Sequence, residues 1–332
     1  MEIDYGKVNE NAIAFAEALR DGHFPGKLNL SGDGITKEDV IALAQALETN
    51  KSLNMLSSFD ENTIKKEGVI VLAQVLQTNQ TLKQLNFVSC RIGKEDAIAL
   101  AQALHTNQTL RVLSLSGNQI GNDGVIALAR ALNINQTLET LYLAYNAITN
   151  EGASALAQAL ETNKTLKVIT LAHNDIEVDG TIALARVLQA NQTLKELDLS
   201  WNKIESQGFI ALACVLKTNQ TLERLEVYGN PIGEDDAVIL TQSLEVNQTL
   251  KELHLNAKST YELRKAIQLP LFINRSLKAL FFTYGWIEPN RFNHIQTEYE
   301  DTLAKRKQYQ KLLRLLNSTF LSDDVLSSTI LI

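Results

Sequence analysis

The chain has 332 residues, of which 45% are hydrophobic and 21% charged, with a formal net charge of −7. That acidic balance argues against general nucleic-acid or anionic-membrane binding, which calls for a basic face. The two cysteines, Cys90 and Cys214, stand far apart and argue against a disulfide framework.

The opening MEIDYGKVNE has neither the basic start nor the apolar core of a secretory signal peptide, and no apolar run is long enough to span a bilayer. A reducing, cytoplasmic setting is expected. Residues 11–20, NAIAFAEALR, place Ala12, Phe15, Ala16 and Leu19 on one helical face and read as a half-repeat cap over residues 1–24. A first strand follows at Leu28 and Leu30. A second, near Leu53 and Leu56, is irregular, and one extra residue before Ile64 predicts a bulged loop there.

From Leu82 onward a leucine returns every 28 residues, at Leu110, Leu138, Leu166, Leu194, Leu222 and Leu250. A fixed period of this length decides the fold before any other reading. Within one unit, Leu110, Leu113, Leu115, Asn118 and Ile120 spell L-x-x-L-x-L-x-x-N-x-I. Leu113 and Leu115 alternate with polar residues, the signature of a short half-buried strand. The asparagine recurs at Asn146, Asn174, Asn202 and Asn230, with Cys90 in that slot one repeat earlier. A buried amide there can satisfy backbone groups that a turn leaves unpaired.

The second half of the unit changes period. Val125, Leu128, Ala129 and Leu132 fall on one helix face. Gly124, Gly152, Gly180 and Gly208, or Asp96 and Asp236, are expected to open the helix. A T-N-x-T turn closes it, with Asn79 and Asn107 expected in a left-handed C′ conformation. One such unit cannot bury its apolar side alone, so neighbours must stack. Parallel strands pair at about 4.8 Å and helices need about 8–10 Å between axes, so the stack bends, with strands inside and helices outside.

A degraded repeat at Leu250, Leu253 and Leu255 is followed by a helix near Tyr261–Gln268 and by a tenth strand, SLKALFF. The solenoid is therefore assigned to residues 25–289. Residues 290–332 read as a helical cap, over Arg291 to Asn317, and a tail.

This pattern resembles the ribonuclease-inhibitor-like class of leucine-rich repeats over residues 8–287. The fold class implied is α/β: a horseshoe solenoid of strand–loop–helix repeats, with a parallel sheet on the concave face and helices on the convex face. Near-identical copies, T-N-Q-T turns, few Cys and Trp, and a short helical cap look most like the leucine-rich-repeat effectors of intracellular Gram-negative bacteria. That likeness implies a host protein as partner, the host cytosol as destination and no N-terminal signal peptide. The acidic stretch Glu298 to Asp301 and the apolar C-terminus are compatible with a type IV secretion signal. The repeats also resemble Ran GTPase-activating proteins, so a regulator of a small GTPase is the alternative reading, separable by a turnover assay. A bacterial adaptor is a third.

The histidines are scattered, and the sequence holds no H-E-x-x-H, C-x-x-C, P-loop or G-x-S-x-G. No catalytic residue, metal or cofactor is assigned, and a non-enzymatic protein is expected. N-x-T/S sequons recur in lockstep with the repeat and read as helix-ending turns. An isoleucine row at Ile41, Ile70, Ile98, Ile126, Ile182 and Ile210 reads as packing between neighbouring helices.

The candidate partner-binding residues lie on the strand face opposite the core. Early repeats present Lys27, Asn29, Ser57, Asn86 and Ser114 there. From the fifth strand the set changes to Tyr142 and Tyr145, then His173, then Glu196, Asp198 and Trp201. Arg224, Glu226 and Tyr228 follow, then Glu252 and His254, then Phe281 and Tyr284. Exposed aromatics beside carboxylates are not needed for folding and are the residue types that anchor interfaces. They point to a protein partner with a basic and apolar surface.

Overall fold

Leu110, Leu113 and Leu115 are fully buried, and Val112 between Leu110 and Leu113 is only partly covered. The period-two pattern has become a strand with one dry face. The structure, a computed structural model, describes residues 26–29, 37–58, 66–231, 236–256 and 279–283. Among these, ten strands form one parallel sheet in strict sequence order, β1 to β10. Strands β1 to β3 are Lys27–Asn29, Met55–Ser58 and Gln84–Phe87, and β4 to β10 are Val112–Ser114, Thr140–Tyr142, Val168–Thr170, Glu196–Asp198, Arg224–Glu226, Glu252–Asn256 and Ala279–Thr283. Equivalent core residues pair across the sheet: Leu113 with Leu141, Leu141 with Ile169, Leu197 with Leu225.

Eight described helices back the sheet: α1 (Lys37–Thr49), α2 (Lys66–Leu76), α3 (Lys94–Thr106), α4 (Gly121–Leu132), α5 (Asn150–Thr162), α6 (Val178–Leu188), α7 (Ser206–Leu216) and α8 (Asp236–Val246). In α4 the buried set includes Val125, Leu128, Ala129 and Leu132, as the periodicity predicts. Ala131 and its repeat mate Ala159 are buried to 1% exposure or less, which lets adjacent helices approach. A single core truncation such as Leu141→Ala should cost about 2–5 kcal/mol.

The coils are tied by side-chain amides. Asn174 Nδ2 donates to the carbonyls of Leu143 (3.0 Å), Leu171 (2.9 Å) and Ala172 (3.2 Å), while its Oδ1 accepts from the N–H groups of Asn146 (2.9 Å) and Ile148 (3.0 Å). Five turn groups in two repeats are thus satisfied by one buried side chain. Cys90, in the same slot, has no such amide, and its own N–H is held by Asn118 Oδ1 at 3.0 Å.

Two sequence expectations about the helix ends need correction. Asn107 and Asn163 are not left-handed. They sit at φ −71°, ψ 125° and φ −70°, ψ 126°, in extended backbone. Extension turns the side chain inward, where Asn107 Nδ2 donates to Leu76 O (2.7 Å) and Asn79 O (3.1 Å), and Oδ1 accepts from the N–H groups of Thr109 and Leu110. The last carbonyl of α2 is therefore capped by the next repeat, so no left-handed residue is required to satisfy it. The glycines likewise do not stand ahead of the helices: α5 begins at Asn150, with Gly152 inside its first turn. The N-terminus is capped from the preceding repeat, by Asn122 Oδ1 accepting from Thr149 N–H (3.0 Å) and Gly152 N–H (3.2 Å). α6 is capped in the same way by Asn150 Oδ1, whereas at α3 the helix's own Asp96 accepts from Gly93 N–H.

The sequon asparagines lie at the helix ends, as their lockstep with the repeat predicts. Asn107, Asn135, Asn163, Asn219 and Asn247 are 0% exposed. The isoleucine row is partly buried, as packing between helix flanks requires, and is interrupted at Ser154. Among the described residues no helix is long and apolar enough to cross a membrane.

The chain divides into two compact units, Met1–Thr283 and Tyr284–Ile332. The half-repeat at 11–20, the bulged loop before Ile64, the helix near Tyr261–Gln268, the helices between Arg291 and Asn317 and the terminal tail lie outside the described residues, as does the last sequon, at Asn274.

Candidate protein-interaction surface

Tyr142, His254 and Phe281 sit within strands β5, β9 and β10, but three of the rings do not. Tyr145, His173 and Trp201 lie on the turn that leaves β5, β6 and β7, each directly before the buried asparagine of its repeat. All three adopt left-handed backbone, at φ 56°, 52° and 53°. Ser89, Gly117 and Gly229 occupy the same column at φ 56°, 72° and 73°. The conformation is imposed by the stack: each N–H in this column donates to a carbonyl of the next coil, Tyr145 to Ala172 (2.9 Å), His173 to Ser200 (2.8 Å) and Trp201 to Tyr228 (2.7 Å). Glycine meets this demand without strain. A bulky side chain there costs about 1–2 kcal/mol, and three occur in succession.

Their rings stack. Tyr145 and His173 have centroids 3.9 Å apart at 11°, and His173 and Trp201 are 5.3 Å apart at 14°. The stack then turns. Tyr228 stands edge-on to Trp201 at 6.3 Å and 84°, and His254 follows Tyr228 at 6.4 Å and 37°. Tyr145 remains 55% exposed and Trp201 44%, so the stack does not dry the rings and leaves them open to a partner.

Beside the ladder, register lines up the charges. Glu196, Arg224 and Glu252 are neighbours on β7, β8 and β9, and Asp198, Glu226 and His254 form the next row. Arg224 is shared: its Nε donates to Glu252 at 2.7 Å and its Nη1 to Glu196 at 3.3 Å. The hydrogen bond to Glu252 leads in holding the guanidinium above its ordinary range. Glu226 is pushed up to about 7, first by burial and then by Asp198 beside it. His254 Nδ1 lies 3.5 Å from Glu226 Oε2, and burial lowers His254 below its usual value. Burial also lowers His173, against the pull of Asp198, and raises Tyr228.

Of the residues expected from sequence, five come together in the ladder (Tyr145, His173, Trp201, Tyr228, His254) and five in the charged rows (Glu196, Asp198, Arg224, Glu226, Glu252). Tyr142 stands apart from the stack, in the register row that runs through Thr170 to Asp198. Phe281 pairs with His254 by backbone register. Tyr284 lies outside the described residues.

Sequence reasoning missed a second charged line, along the residue after each repeat-opening leucine. Lys167 Nζ meets Glu139 at 2.6 Å, Lys195 meets Glu223 at 2.9 Å, and Lys251 also pairs with Glu223. The signal that could have found it is the column itself, Lys83, Arg111, Glu139, Lys167, Lys195, Glu223 and Lys251, in which each acid stands between two bases.

Five segments, residues 78–101, 106–129, 135–157, 162–185 and 190–213, match the family model described as Leucine Rich repeat. Those segments are leucine-rich repeats. The chain's strand–helix units resemble the ribonuclease-inhibitor-like repeat class, with the parallel strands on the concave side of the solenoid and the helices on the other. Among solved structures, the chain is similar to Leiomodin-1 Actin-Binding Site 2, at 20% identity and TM-score 0.36, over 59% of this chain and 95% of that one. It is similar to the tropomodulin C-terminal domain of Caenorhabditis elegans, at 15% identity and TM-score 0.36, over 55% of this chain and 93% of that one. It is also similar to the TLR13 chain of a TLR13–ssRNA13 complex, at 18% identity and TM-score 0.45, over 81% of this chain but only 38% of that one. No curated protein sequence matches the chain.

Proposed function

We propose that this protein is a non-enzymatic interaction scaffold that holds a protein partner on the concave side of its C-terminal half. The observation that carries the reading is the run Tyr145, His173, Trp201. Three bulky rings occupy successive left-handed positions where glycine fits without strain, and two of them stay open to solvent. Strain kept at a surface the fold does not need points to use of that surface. The stacked coils fix the rings in advance, so little side-chain entropy remains to be lost on binding. Four carboxylates and one guanidinium beside the rings fit a partner whose surface is basic and apolar.

The test is affinity capture with wild type, a Trp201→Ala/Tyr228→Ala variant, and an Ile134→Ala variant as control, since Ile134 is exposed beyond the end of α4. A protein held by wild type and by the control but lost by the ring variant is the expected result. Equal recovery by all three overturns the reading.

We read the partner as a host protein and the chain as a secreted bacterial effector. Support for this comes from the style of the repeats, namely near-identical copies with T-N-Q-T turns. A translocation assay with residues 318–332 removed tests it. Failure of the full chain to reach host cytosol overturns it.

A further inference from the structure

We propose that the occupant of this surface is an extended basic polypeptide segment, laid across β7, β8 and β9 with alternate lysine or arginine side chains seated on the rings of Trp201, Tyr228 and His254 and turned toward Asp198 and Glu226. The inference rests on the reading above, that this side of the solenoid binds protein, and names what it binds.

Spacing carries the first part. Trp201 to Tyr228 is 6.3 Å and Tyr228 to His254 is 6.4 Å. An extended chain rises about 3.3 Å per residue, so its alternate side chains stand about 6.6 Å apart on one side. A segment running across the strands therefore meets one ring with every second residue. The other half of the ladder is different in kind. Tyr145, His173 and Trp201 are nearly parallel at 3.9 and 5.3 Å, too tight for anything to enter between them. They form a shelf for an apolar part of the same segment.

Charge carries the second part. The three strands present Glu196, Asp198, Glu226 and Glu252 against Arg224. Arg224 is already engaged by Glu196 and Glu252. Asp198 and Glu226 stand side by side by register, and their mutual repulsion contributes to keeping Glu226 partly protonated near neutral pH. A cation delivered there relieves the repulsion and faces Trp201, the ring that attracts cations best. A single-stranded nucleic acid also stacks bases on aromatic shelves, but its phosphates would meet these four carboxylates.

The test is calorimetric titration of the full chain, at about 0.15 M salt, with two peptides of equal charge: acetyl-Lys-Ser-Lys-Ser-Lys-amide and acetyl-Ser-Lys-Lys-Lys-Ser-amide. A uridine hexanucleotide is the third probe. The alternating peptide should bind about fivefold more tightly than the block peptide. Its affinity should fall about tenfold with Trp201→Ala and with Asp198→Asn. Glu223→Gln, on the other charged line, should leave it unchanged, and Trp201→Phe should restore most of it. Equal affinity for the two peptides, an equal loss with Glu223→Gln, or tighter binding of the oligonucleotide overturns the inference. Capture of a protein partner that needs Trp201 and Tyr228, with no discrimination between the peptides, leaves the scaffold reading standing and removes this one. Discrimination between the peptides together with capture indifferent to those rings does the reverse.

Discussion

The indole of Trp201 lies against the backbone of Gly229, so closely that a β-carbon on Gly229 would sit 2.6 Å from ring atom Cδ2. This packing explains a break in the ladder. With Trp201 covering the next left-handed position, that position has no room for a side chain. The following aromatic is supplied one residue earlier, by Tyr228. The displacement is what stands Tyr228 edge-on to Trp201 and makes a corner where the earlier rings make a shelf.

Gly229→Ala should therefore fail twice. The residue is held at φ 73°, and its new methyl would drive into the indole. A loss of about 2 kcal/mol in urea denaturation is expected. A shifted Trp201 fluorescence maximum in the native baseline should accompany it. A variant as stable as wild type would show that the indole moves freely.

Tyr145→Gly should separate stability from binding. The substitution removes left-handed strain and an exposed ring, at the expense of one stacking contact with His173. Stability should stay level or rise by about 1 kcal/mol. Partner affinity should fall about tenfold. Equilibrium unfolding and a binding isotherm on the same sample check both.

Asn174→Ala removes five hydrogen bonds to backbone groups in two adjacent coils, most of them without access to water. A loss of about 3 kcal/mol is expected, larger than for any exposed residue of the same repeat. Native-state hydrogen exchange should show it first at the N–H groups of Asn146 and Ile148.

Glu226 sets a pH dependence with a definite sign. Its folded pKa of about 7 is above the ordinary 4.5, so the folded chain binds more protons than the unfolded chain between those values. Stability from this group is then fully present below pH 4.5, declines as pH rises, and is lowest above about 7. Glu226→Gln should match wild type near pH 4.5 and exceed it at pH 8 by about 1–2 kcal/mol, after discounting for its partly solvated position. The groups facing Glu226 are Glu196 and Asp198 on β7, Arg224 on its own strand, and Glu252 and His254 on β9. His254, depressed by burial, acts in the opposite direction, losing stability as pH falls through 6.5. The difference between variant and wild type at each pH isolates Glu226. A constant difference across the range would contradict the assignment.

The repeat was legible because its signals are local. Leu110, Leu113 and Leu115 declare a strand within six residues, and Asn118 marks the turn. Helix capping was only partly legible: Asp96 caps its own helix, but elsewhere the partner comes from another coil. Asn122 serves Thr149 and Gly152, which are 27 and 30 residues away. Nothing near Asn107 tells a reader that it turns inward to Leu76 rather than adopting the left-handed form. The ring ladder was half legible. Tyr145, His173 and Trp201 were identifiable as exposed aromatics, but their strain was not, since a backbone angle imposed by stacking leaves little trace in any one repeat. The trace is in the column as a whole. Gly117 and Gly229 flank the three aromatics at the 28-residue period, and two glycines in a column of six hint at positive φ.

The inward asparagines also bear on how this protein can be made. Each of them opens an N-x-T/S sequence that an oligosaccharyltransferase would accept on an unfolded chain. Their side-chain amides are the atoms that clasp one coil to the previous one, as Asn135 Nδ2 does at 2.9 Å from both Leu104 O and Asn107 O. A sugar attached there would displace the clasp and wedge a branched glycan between two helices. Sugar transfer and coil stacking compete for the same nitrogen, so a eukaryotic secretory host should yield misassembled product where a bacterial cytosol yields folded chain.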